Sequence, residues 1–588
     1  MKQGVHRLAR VSVGFGLAAA LAAGCMANPG PAPVEEDTDI SPITPGDEEN
    51  AQEKDTNESP TQQRSEVAIG VDPLASGLNP HLIANNSELV AQIADLVLPS
   101  TFRYGKMDTD ILSSAEEIEA PEGVEQRVRY EIAPEAQWSD GTPITGADFT
   151  FLWNSMISTA GVQSPAGYHA ISAIRTSNSG RVVTVDFAEK VADWNLLFND
   201  LLPSHLLRGE GDFATALTSS IPASAGRYLV DNVDRARGVI TLNRNDRFWG
   251  KNPAQIDVIQ LQAVRSTSQA VNMLRSGQIG FADFTPAQTT QEALSLLPGV
   301  ETEIVSPMRQ LRMHLSTAEG ALDDVELRRD IVSLIDPTQV ARLAAGRSNH
   351  LRVPYGGMRG FGARDITQLR ERAQDRPIRI GVDPTDSVAL TAANTMVDML
   401  AQFEVPTEVV SERMTTLTSE KLPEGEIDAV LTWEDTAINS QTMANAFMCT
   451  SPESTAAPDD TEPAQRVETS ESDGSEITAT RDKESTNEST RPWAGDLSGY
   501  CPANAEQTRR ALLSGDLTPD EGLAEVRRIN ADESLYIPLL DESRIHALGR
   551  GIDGPGGVQD WSAGLVSAPS WRLSSKQEDI RSDSEAKD

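Results

Sequence analysis

Histidine, cysteine and serine build most catalytic and metal sites, and their spacing in this chain favours neither kind of site. The seven histidines never approach one another at metal-ligand spacing, and no HExxH or CxxC motif occurs. No G-x-S-x-G motif occurs either, so a hydrolase serine is unsupported. The histidines are His6, His81, His169, His205, His314, His350 and His546. We therefore expect no enzyme activity, no metal site and no cofactor.

A glycine-rich run and several acidic pairs are the remaining candidates for chemistry. The run GGMRGFG, from Gly356 to Gly362, follows Pro354 and Tyr355 instead of a clear strand, so it favours a loop over a phosphate cradle. Asp323-Asp324 and Glu434-Asp435 are pairs in a chain with 88 acidic residues. Pairing alone therefore does not indicate acid/base catalysis.

Length and charge limit the class of protein. The chain has 588 residues, enough for several units with their own cores. Part of its net charge of −38 lies in two acidic tracts, Met26–Glu66 and Ser451–Thr490. No cluster of lysine and arginine is interleaved with aromatic residues. The composition thus argues against a nucleic-acid partner and favours a solvated acidic surface.

The first 25 residues have the pattern of a secretory signal. Lys2, Arg7 and Arg10 precede an uncharged apolar run of 13 residues, Val11 to Ala23. A bilayer span needs roughly 20 apolar residues, so this run is too short to remain as an anchor. The run ends in LAAGC, which resembles a lipobox with Cys25 as the lipidated residue. An ordinary cleaved signal peptide is the alternative.

The other two cysteines predict a disulfide. Three cysteines in an exported protein leave one unpaired, and assigning Cys25 to lipid leaves Cys449 and Cys501 for each other. They bracket an acidic insertion, 451–490, which has too few apolar residues to fold and should be disordered. Metal binding by the two cysteines, without nearby histidines, is the less favoured alternative.

A turn followed by a capped helix is predicted from Asp140 to Met156. The pair Asp140-Gly141 predicts the turn. Thr145 and Asp148 have the spacing of a capping box, in which each side chain satisfies a free amide at the helix start. The apolar positions that follow have helical spacing and predict a core helix. They are Phe149, Leu152, Trp153 and Met156.

Two copies of the sequence IGVDP predict two α/β lobes. Glu66–Pro73 reads EVAIGVDP, and Pro377–Pro384 reads PIRIGVDP. Each copy reads as a buried strand and precedes a loop and a helical pattern. So short a repeat leaves duplication and convergence both open.

Several segments together resemble a known family. WSDGTPITGADFTFLW, from Trp138 to Trp153, resembles a signature of the family 5 extracytoplasmic solute-binding proteins, which are peptide, nickel and oligosaccharide receptors of ABC importers. Four further segments resemble the family in the family's order: ASAGRYLV (Ala223–Val230), LNRNDRFWG (Leu242–Gly250), LRSGQIGFAD (Leu274–Asp283) and DDVELRRDIVSLID (Asp323–Asp336). The segment from Asn79 to Arg103 is similar to the actinobacterial branch of monoacyl phosphatidylinositol tetramannoside-binding lipoproteins.

This resemblance implies an α/β, two-lobed, type II periplasmic-binding-protein-like fold with an inserted small α+β domain. It also implies that a late strand, Tyr536–Leu540, returns to the first lobe. The expected division is 1–25 signal peptide, 26–65 disordered tether, 66–100 lobe I, 101–208 small domain, 209–310 lobe I, 311–517 lobe II with the insertion 451–490, 518–575 return to lobe I and 576–588 disordered tail.

The resemblance also implies two ligand contacts in LTWEDT, Leu431 to Thr436. Trp433 would stack against the ligand, and Asp435 would bind a cationic group such as a peptide ammonium. The alternative is a Trp433 packed in the core beside a solvated Asp435. A buried ion pair of this kind needs an opposite charge or several hydrogen bonds to offset desolvation.

The expected function is capture of a small organic ligand, peptide-like or other, in an interlobe cleft. We expect a monomer that a lipid holds on the extracytoplasmic face of the cell membrane and that serves an ABC permease. The alternative is a regulator that binds a phosphatidylinositol mannoside glycolipid and acts with an envelope biosynthetic enzyme.

Overall fold

The computed structural model describes residues 64–209, 212–354, 364–449, 477–480, 497–554 and 558–574. The predicted signal peptide, the lipidated Cys25, nearly all of the tether and the tail lie outside these residues. The glycine run 356–362 and most of the insertion 451–490 also lie outside them. The described residues include the hydrophobic cores of both expected lobes and of the small domain.

Strands and helices alternate along much of the described chain. Strands β1 to β21 are Glu66–Val71, Phe102–Arg103, Lys106–Met107, Leu112–Ile118, Gln126–Ile132, Ile171–Ser177, Val182–Phe187, Tyr228–Asp234, Val239–Arg244, Val258–Ala263, Phe281–Phe284, Glu301–Val305, Arg309–Leu315, Ile378–Val382, Thr407–Ser411, Ala429–Asp435, Ile477–Thr480, Tyr536–Asp541, Arg544–Leu548, Ile552–Asp553 and Arg572–Leu573. Helices α1 to α14 are Glu88–Val97, Gly146–Ser158, Ala166–His169, Ser204–Leu207, Thr267–Ser276, Thr290–Ser295, Val325–Leu334, Pro337–Ala344, Thr367–Asp375, Ser387–Ala401, Met414–Thr416, Ser440–Asn445, Ala505–Ser514 and Pro519–Glu533.

Two mixed sheets form the centres of the two lobes. The first sheet has the order β12-β19-β11-β1-β10-β9-β8, with β1 parallel to both of its neighbours. The second sheet has the order β15-β14-β16-β13-β18, with β14 parallel to both of its neighbours. The second sheet has its own hydrophobic core, separate from those beside the first. The predicted α/β fold is confirmed.

Both copies of IGVDP are buried inner strands of these sheets, β1 in the first and β14 in the second. The glycine of each copy also lies against an isoleucine side chain. A Cβ atom added at Gly70 would lie 2.8 Å from Ile279 Cδ1, and one added at Gly381 would lie 2.6 Å from Ile427 Cδ1. Each isoleucine comes just before a strand parallel to the copy. The two lobes thus share one local packing solution, in which only glycine leaves room for the isoleucine.

A third, antiparallel sheet belongs to the small domain and has the order β17-β6-β7-β5-β4. Helix α2 packs beside it, and the predicted capping box of Thr145 and Asp148 is present. Asp148 is buried, and its carboxylate accepts hydrogen bonds from Thr145 N at 3.0 Å and Ser204 N at 3.1 Å. The prediction for this segment is confirmed, and its role is to order the domain.

The chain crosses between the two main sheets at two adjacent places. It passes from β12 to β13 and returns from β18 to β19. The expectation that Tyr536–Leu540 returns to the first lobe is wrong, because β18 pairs with β13 in the second sheet and buries Ile537 and Leu539 in its core. The return begins with Arg544, in β19.

Buried charges join the two crossings. Arg309 Nη1 donates to Glu542 Oε2 at 2.5 Å, and Glu542 N donates to Arg309 O at 2.9 Å. Arg544 Nε donates to Asp283 Oδ1 at 2.5 Å, and Arg544 Nη1 donates to Asp72 Oδ2 at 2.9 Å. Burial would lower the pKa of Arg544, but these carboxylates outweigh it and hold the pKa well above its usual value.

A helical pair from the second lobe's chain contacts the small domain. Gln441 Nε2, on α12, donates to Asp193 O at 3.0 Å, and Arg509 Nη2, on α13, donates to Glu189 Oε2 at 2.7 Å. Cys449 and Cys501 form a disulfide between these helices, with Cα atoms 5.3 Å apart.

The insertion is not wholly without structure. Ile477–Thr480 forms β17 and pairs antiparallel with β6 at the edge of the small domain's sheet. The expectation of disorder across 451–490 is therefore wrong for these four residues. Two threonines and an isoleucine favour a strand, and the edge of β6 offers unpaired backbone groups to it.

The buried network at the crossings predicts a large cost for Asp283→Asn. Loss of the charge leaves the Arg544 guanidinium buried with less compensation, so we expect a loss of roughly 3–5 kcal/mol in the free energy of unfolding, measured by urea titration. Asp246→Asn is the control, because Asp246 pairs with Arg244 but its side chain is 75% exposed. The control should change stability by about 1 kcal/mol or less. Equal losses in both variants would contradict the role given to the network.

The disulfide predicts a second stability effect. Its cysteines are 52 residues apart, and closing a loop of that length is worth about 4 kcal/mol on the chain-entropy account. The double variant Cys449→Ser, Cys501→Ser should therefore unfold at lower urea than the oxidised protein. Added reductant should lower the midpoint of the wild type and leave the double variant unchanged. A wild-type midpoint insensitive to reductant would show that the bridge adds no stability.

Candidate functional site

A cavity of about 520 Å³ lies between the lobes. The second lobe supplies most of its lining, from strands β13, β16 and β18, from the end of helix α12 and from the middle of helix α14. Ile83 and Asn86, which precede α1, line it from the first lobe. Val162 and Ser164 line it from the small domain. A volume of this size suits a small organic ligand.

One side of the cavity is polar, and we name it the cleft floor. It is formed by strand residues of the second sheet: Gln310, Arg312, His314, Glu434, Tyr536 and Asp541. Arg312 Nη1 donates to Glu434 Oε2 at 2.7 Å, and Arg312 Nε donates to Gln310 Oε1 at 2.7 Å. The Arg312 guanidinium also lies 4.8 Å from the centre of the Tyr536 ring. The floor is thus held in place before any ligand arrives.

Glu434 is the electrostatic centre of the cleft floor. Its Oε1 lies 2.6 Å from His314 Nε2, opposite the bond to Arg312. Burial would raise the pKa of Glu434, but His314 and Arg312 outweigh it and lower the pKa to about 2. Glu434 is therefore ionised at neutral pH, and Arg312 balances its charge. Because this pair is neutral as a whole, this part of the floor suits a neutral polar or zwitterionic ligand.

Another part of the cavity lining is apolar, and we name it the apolar wall. It consists of half-buried and buried residues from the C-terminal end of α12 and from the middle of α14: Met443, Ala446, Phe447, Leu523, Val526 and Ile529. At the rim, Met308 and Ile438 are 58% and 43% exposed. The cavity can therefore hold a polar group on its floor and a hydrocarbon group against its wall at the same time.

Trp433 lies beside the cavity, and its ring already has partners. Trp433 Nε1 donates to Asp386 Oδ2 at 2.9 Å, and the ring packs against the second core. The Arg309 guanidinium lies 5.5 Å from the ring centre. Asn86 Nδ2, from the first lobe, donates to Trp433 O at 3.1 Å. These contacts favour the core-packed alternative, and stacking of Trp433 on a ligand stays a prediction.

Asp435 is exposed at the end of β16 and lines the same cavity. Its Oδ1 accepts a hydrogen bond from Ala437 N at 2.8 Å. The surrounding protein displaces water from the carboxylate and raises its pKa, against the effects of the Ala437 bond and of Arg309. Asp435 is thus placed where a ligand cation could reach it, and that contact stays a prediction.

Of the three predicted cysteine sites, Cys449 and Cys501 are not among the residues that line the cavity, although Tyr500 and Pro502 are. Cys449 and Cys501 are joined to each other beside the small domain. Cys25 lies outside the described residues, so its lipid attachment also stays a prediction.

The residues of the cleft floor were missed by sequence reasoning, although β13 carries a signal for them. Its sequence alternates polar Gln310, Arg312 and His314 with buried Leu311, Met313 and Leu315. This two-residue period predicts a strand with one polar face. Glu434 carries no such signal, because its partners on β13 lie more than a hundred positions earlier, 122 in the case of Arg312.

The described residues contain neither a cluster of metal ligands nor a helix that could span a membrane. None of their His, Cys, Asp and Glu side chains form a group of three or more that could hold a metal ion. No helix among them is long and apolar enough to cross a membrane.

Comparison with known proteins shows which proteins this chain resembles. Residues 115–358 match the profile of the bacterial extracellular solute-binding proteins, family 5. The chain is 26% identical over 622 aligned positions to a Mycobacterium tuberculosis protein named "probable monoacyl phosphatidylinositol tetramannoside-binding protein LpqW", covering 92% of this chain and 95% of that one. The resemblance to family 5 solute-binding proteins is confirmed. An oligopeptide-binding protein OppA from Mycobacterium bovis is 30% identical, over 45% of this chain and 46% of its own.

Solved structures share the two-lobed fold. The oligopeptide-binding protein AppA from Bacillus subtilis, solved with a nonapeptide, has a TM-score of 0.60 and 12% identity, over 87% of this chain and 99% of its own. A periplasmic EDTA-binding protein, EppA, has a TM-score of 0.56 and 19% identity, over 87% of this chain and 97% of its own. At these identities the likeness shows the fold alone. The two-lobed architecture, with its inserted small domain, is confirmed.

The lowered pKa of Glu434 predicts a pH-dependent stability difference. Since its pKa falls from 4.5 to about 2 on folding, ionised Glu434 stabilises the fold above pH 4.5. This stabilisation, on the order of 3 kcal/mol, should be lost as the pH falls from about 4.5 to about 2. Glu434→Gln should therefore be less stable than the wild type at pH 7, with a gap that narrows at pH 3. Urea unfolding at both pH values measures it.

Glu424→Gln, at an exposed position, is the matched control and should follow the wild type at both pH values. A gap between Glu434→Gln and the wild type that stays constant from pH 7 to pH 3 would contradict a lowered pKa at Glu434.

Proposed function

We propose that this protein captures a small organic ligand in the interlobe cavity and performs no chemistry on it. The observation that supports this proposal is the cavity, which has a polar floor and an apolar wall in a fold that resembles solute-binding proteins. The floor offers hydrogen-bonding groups but no nucleophile held against a base, which acyl or phosphoryl transfer would need. We include in the proposal a lipid on Cys25, a position on the outer face of the cell membrane and delivery to an ABC permease.

Peptide-like ligands are the first candidate class. OppA and AppA, which resemble this chain over part of its sequence and in fold, are named for oligopeptide binding. In this proposal Asp435 binds the ligand's cationic end, because Ala437 N occupies only one of its two carboxylate oxygens. The half-buried Trp433 ring contacts the ligand in this proposal. The ion-paired cleft floor then accepts backbone amides of the ligand without leaving a buried charge unpaired.

A glycolipid is the second candidate class, and the apolar wall is the observation that favours it. The relative matched over nearly the whole chain, LpqW, is named for binding a monoacylated phosphatidylinositol tetramannoside. The apolar wall and the exposed Met308 and Ile438 at the rim offer a path for an acyl chain. Sugar hydroxyls would bond to the cleft floor. In this case the protein acts with an envelope biosynthetic enzyme instead of a permease.

We also propose a division of the chain into two lobes and a small domain, which is consistent with this function. Residues 66–100 and 209–310 belong to the first lobe, 101–208 to the small domain, and 311–517 to the second lobe. The second sheet adds β18 to the second lobe, so the return to the first lobe begins after Asp541. We propose that the protein works as a monomer, since one chain supplies every side of the cavity.

Native mass spectrometry of the full chain, purified from its own envelope, tests the proposal. We expect a co-purified small molecule on the wild type and none on Ala446→Trp, whose indole would fill the cavity beside the apolar wall. Ala401→Trp, at the exposed end of α10, is the matched control and should keep the ligand. A peptide mass would support the transport form, and a glycolipid mass would support the second form. Equal occupancy of both tryptophan variants would overturn the cavity as the site.

A further inference from the structure

Among the described residues of this acidic protein, buried arginines are paired with carboxylates, with one exception. Among the described residues five arginines are buried: Arg309, Arg328, Arg347, Arg509 and Arg544. Four of them have a carboxylate partner, namely Glu542 for Arg309, Glu533 for Arg328, Glu189 for Arg509 and Asp283 for Arg544. Arg347 has none in the part of the chain that the structure describes.

Arg347 is 4% exposed, and neither its Nε nor its Nη1 has a hydrogen-bond partner among the described residues. Burial lowers the pKa of its guanidinium, and no nearby carboxylate opposes that effect. The other buried arginines have such an opposing charge. The charge of Arg347 is thus desolvated without compensation.

The loop that follows Arg347 is held by hydrogen bonds to two other segments of the chain. Ser348 N donates to Gln288 Oε1 at 2.6 Å, and Asn349 Nδ2 donates to Gln288 O at 2.8 Å. Gln288 belongs to the first lobe's chain, between β11 and α6. On the other side, Ser543 Oγ, at the second crossing, donates to His350 O at 3.0 Å.

An uncompensated buried charge is costly even after the surrounding protein relaxes. The chain has 88 acidic residues against 50 basic ones, so a carboxylate partner would be easy to supply. Groups kept in such a costly state are frequently those that a ligand completes. We infer that Arg347 is the binding group for an anion that comes from outside the chain.

The chemistry of the guanidinium defines the ligand class. Its planar set of donors fits the oxygens of a carboxylate or a phosphate. Since Arg347 is 4% exposed, the ligand is a small anion or the anionic end of a larger molecule. Arg347 does not line the interlobe cavity, so this site is separate from the cavity and does not depend on the function proposed for it.

Thermal unfolding of the full chain tests the site, with inorganic phosphate or acetate added to an anion-poor buffer. Binding to the folded state raises Tm, and we expect a rise of about 2 °C or more in the wild type for at least one anion. Arg347→Met should lose this rise. Without added anion its Tm should equal or exceed that of the wild type, because the uncompensated charge is gone. Arg342→Met, at an exposed position on α8, is the matched control and should respond like the wild type.

The comparison between variants separates binding from general salt effects. Phosphate stabilises many proteins by exclusion from their surface, and that effect would be equal in the wild type and Arg347→Met. Equal responses in those two proteins would therefore overturn the inference. So would a lower Tm of Arg347→Met in anion-poor buffer combined with no response of the wild type, since water would then satisfy the guanidinium.

Calorimetric titration of the wild type and Arg347→Lys gives a second measurement that does not need the methionine variant to fold. Phosphate or acetate should bind the wild type and bind the lysine variant at least tenfold more weakly, because lysine keeps the charge but lacks the planar donors. A preference for phosphate over acetate, or the reverse, identifies the class. Absence of heat with both anions on the wild type would overturn the site.

Discussion

The relative position of the two lobes depends on the buried ion pairs of Arg544. Its guanidinium donates to Asp283, in β11, and to Asp72, just after β1. It also donates to Glu542 at the second crossing. Glu542 in turn bonds to Arg309 at the first crossing. Buried charges therefore join the two chain crossings. Each buried charge is stabilised by an opposite charge beside it, because water does not solvate it there. The cleft floor begins directly beyond them, since Gln310 Nε2 donates to Asp541 Oδ1 at 2.8 Å.

Much of the fold was predictable because local patterns decided it. The capping box at Thr145 and the strand repeat around Gly70 and Gly381 each depend on a few neighbouring residues. Membership of a sheet depends on distant partners instead. The apolar run in β18 fits either sheet equally well as sequence, and only its pairing with β13 assigns it to the second lobe. The strand Ile477–Thr480 was missed for the same reason, because its partner β6 lies about three hundred residues earlier.

The candidate site was less predictable than the fold. Resemblance located β16 and its Trp433 and Asp435, and both residues line the cavity. Resemblance could not show that Trp433 is already bonded to Asp386 and covered by Arg309. Glu434, between those two residues, also lines the cavity, and the resemblance did not point to it. Its partners Arg312 and His314 become neighbours only through the register of β13 against β16.

The bond between Cys449 and Cys501 also bears on how this region can change over evolutionary time. It fixes the end of one helical segment and the start of the next with Cα atoms 5.3 Å apart, so the packing on either side does not depend on what joins them. The entropy of closing a loop grows only slowly with loop length. Insertions and deletions between the two cysteines, outside Ile477–Thr480 and the buried Leu497 and Ser498, should therefore be nearly neutral for stability. Related chains should differ in length there more than in the flanking helices.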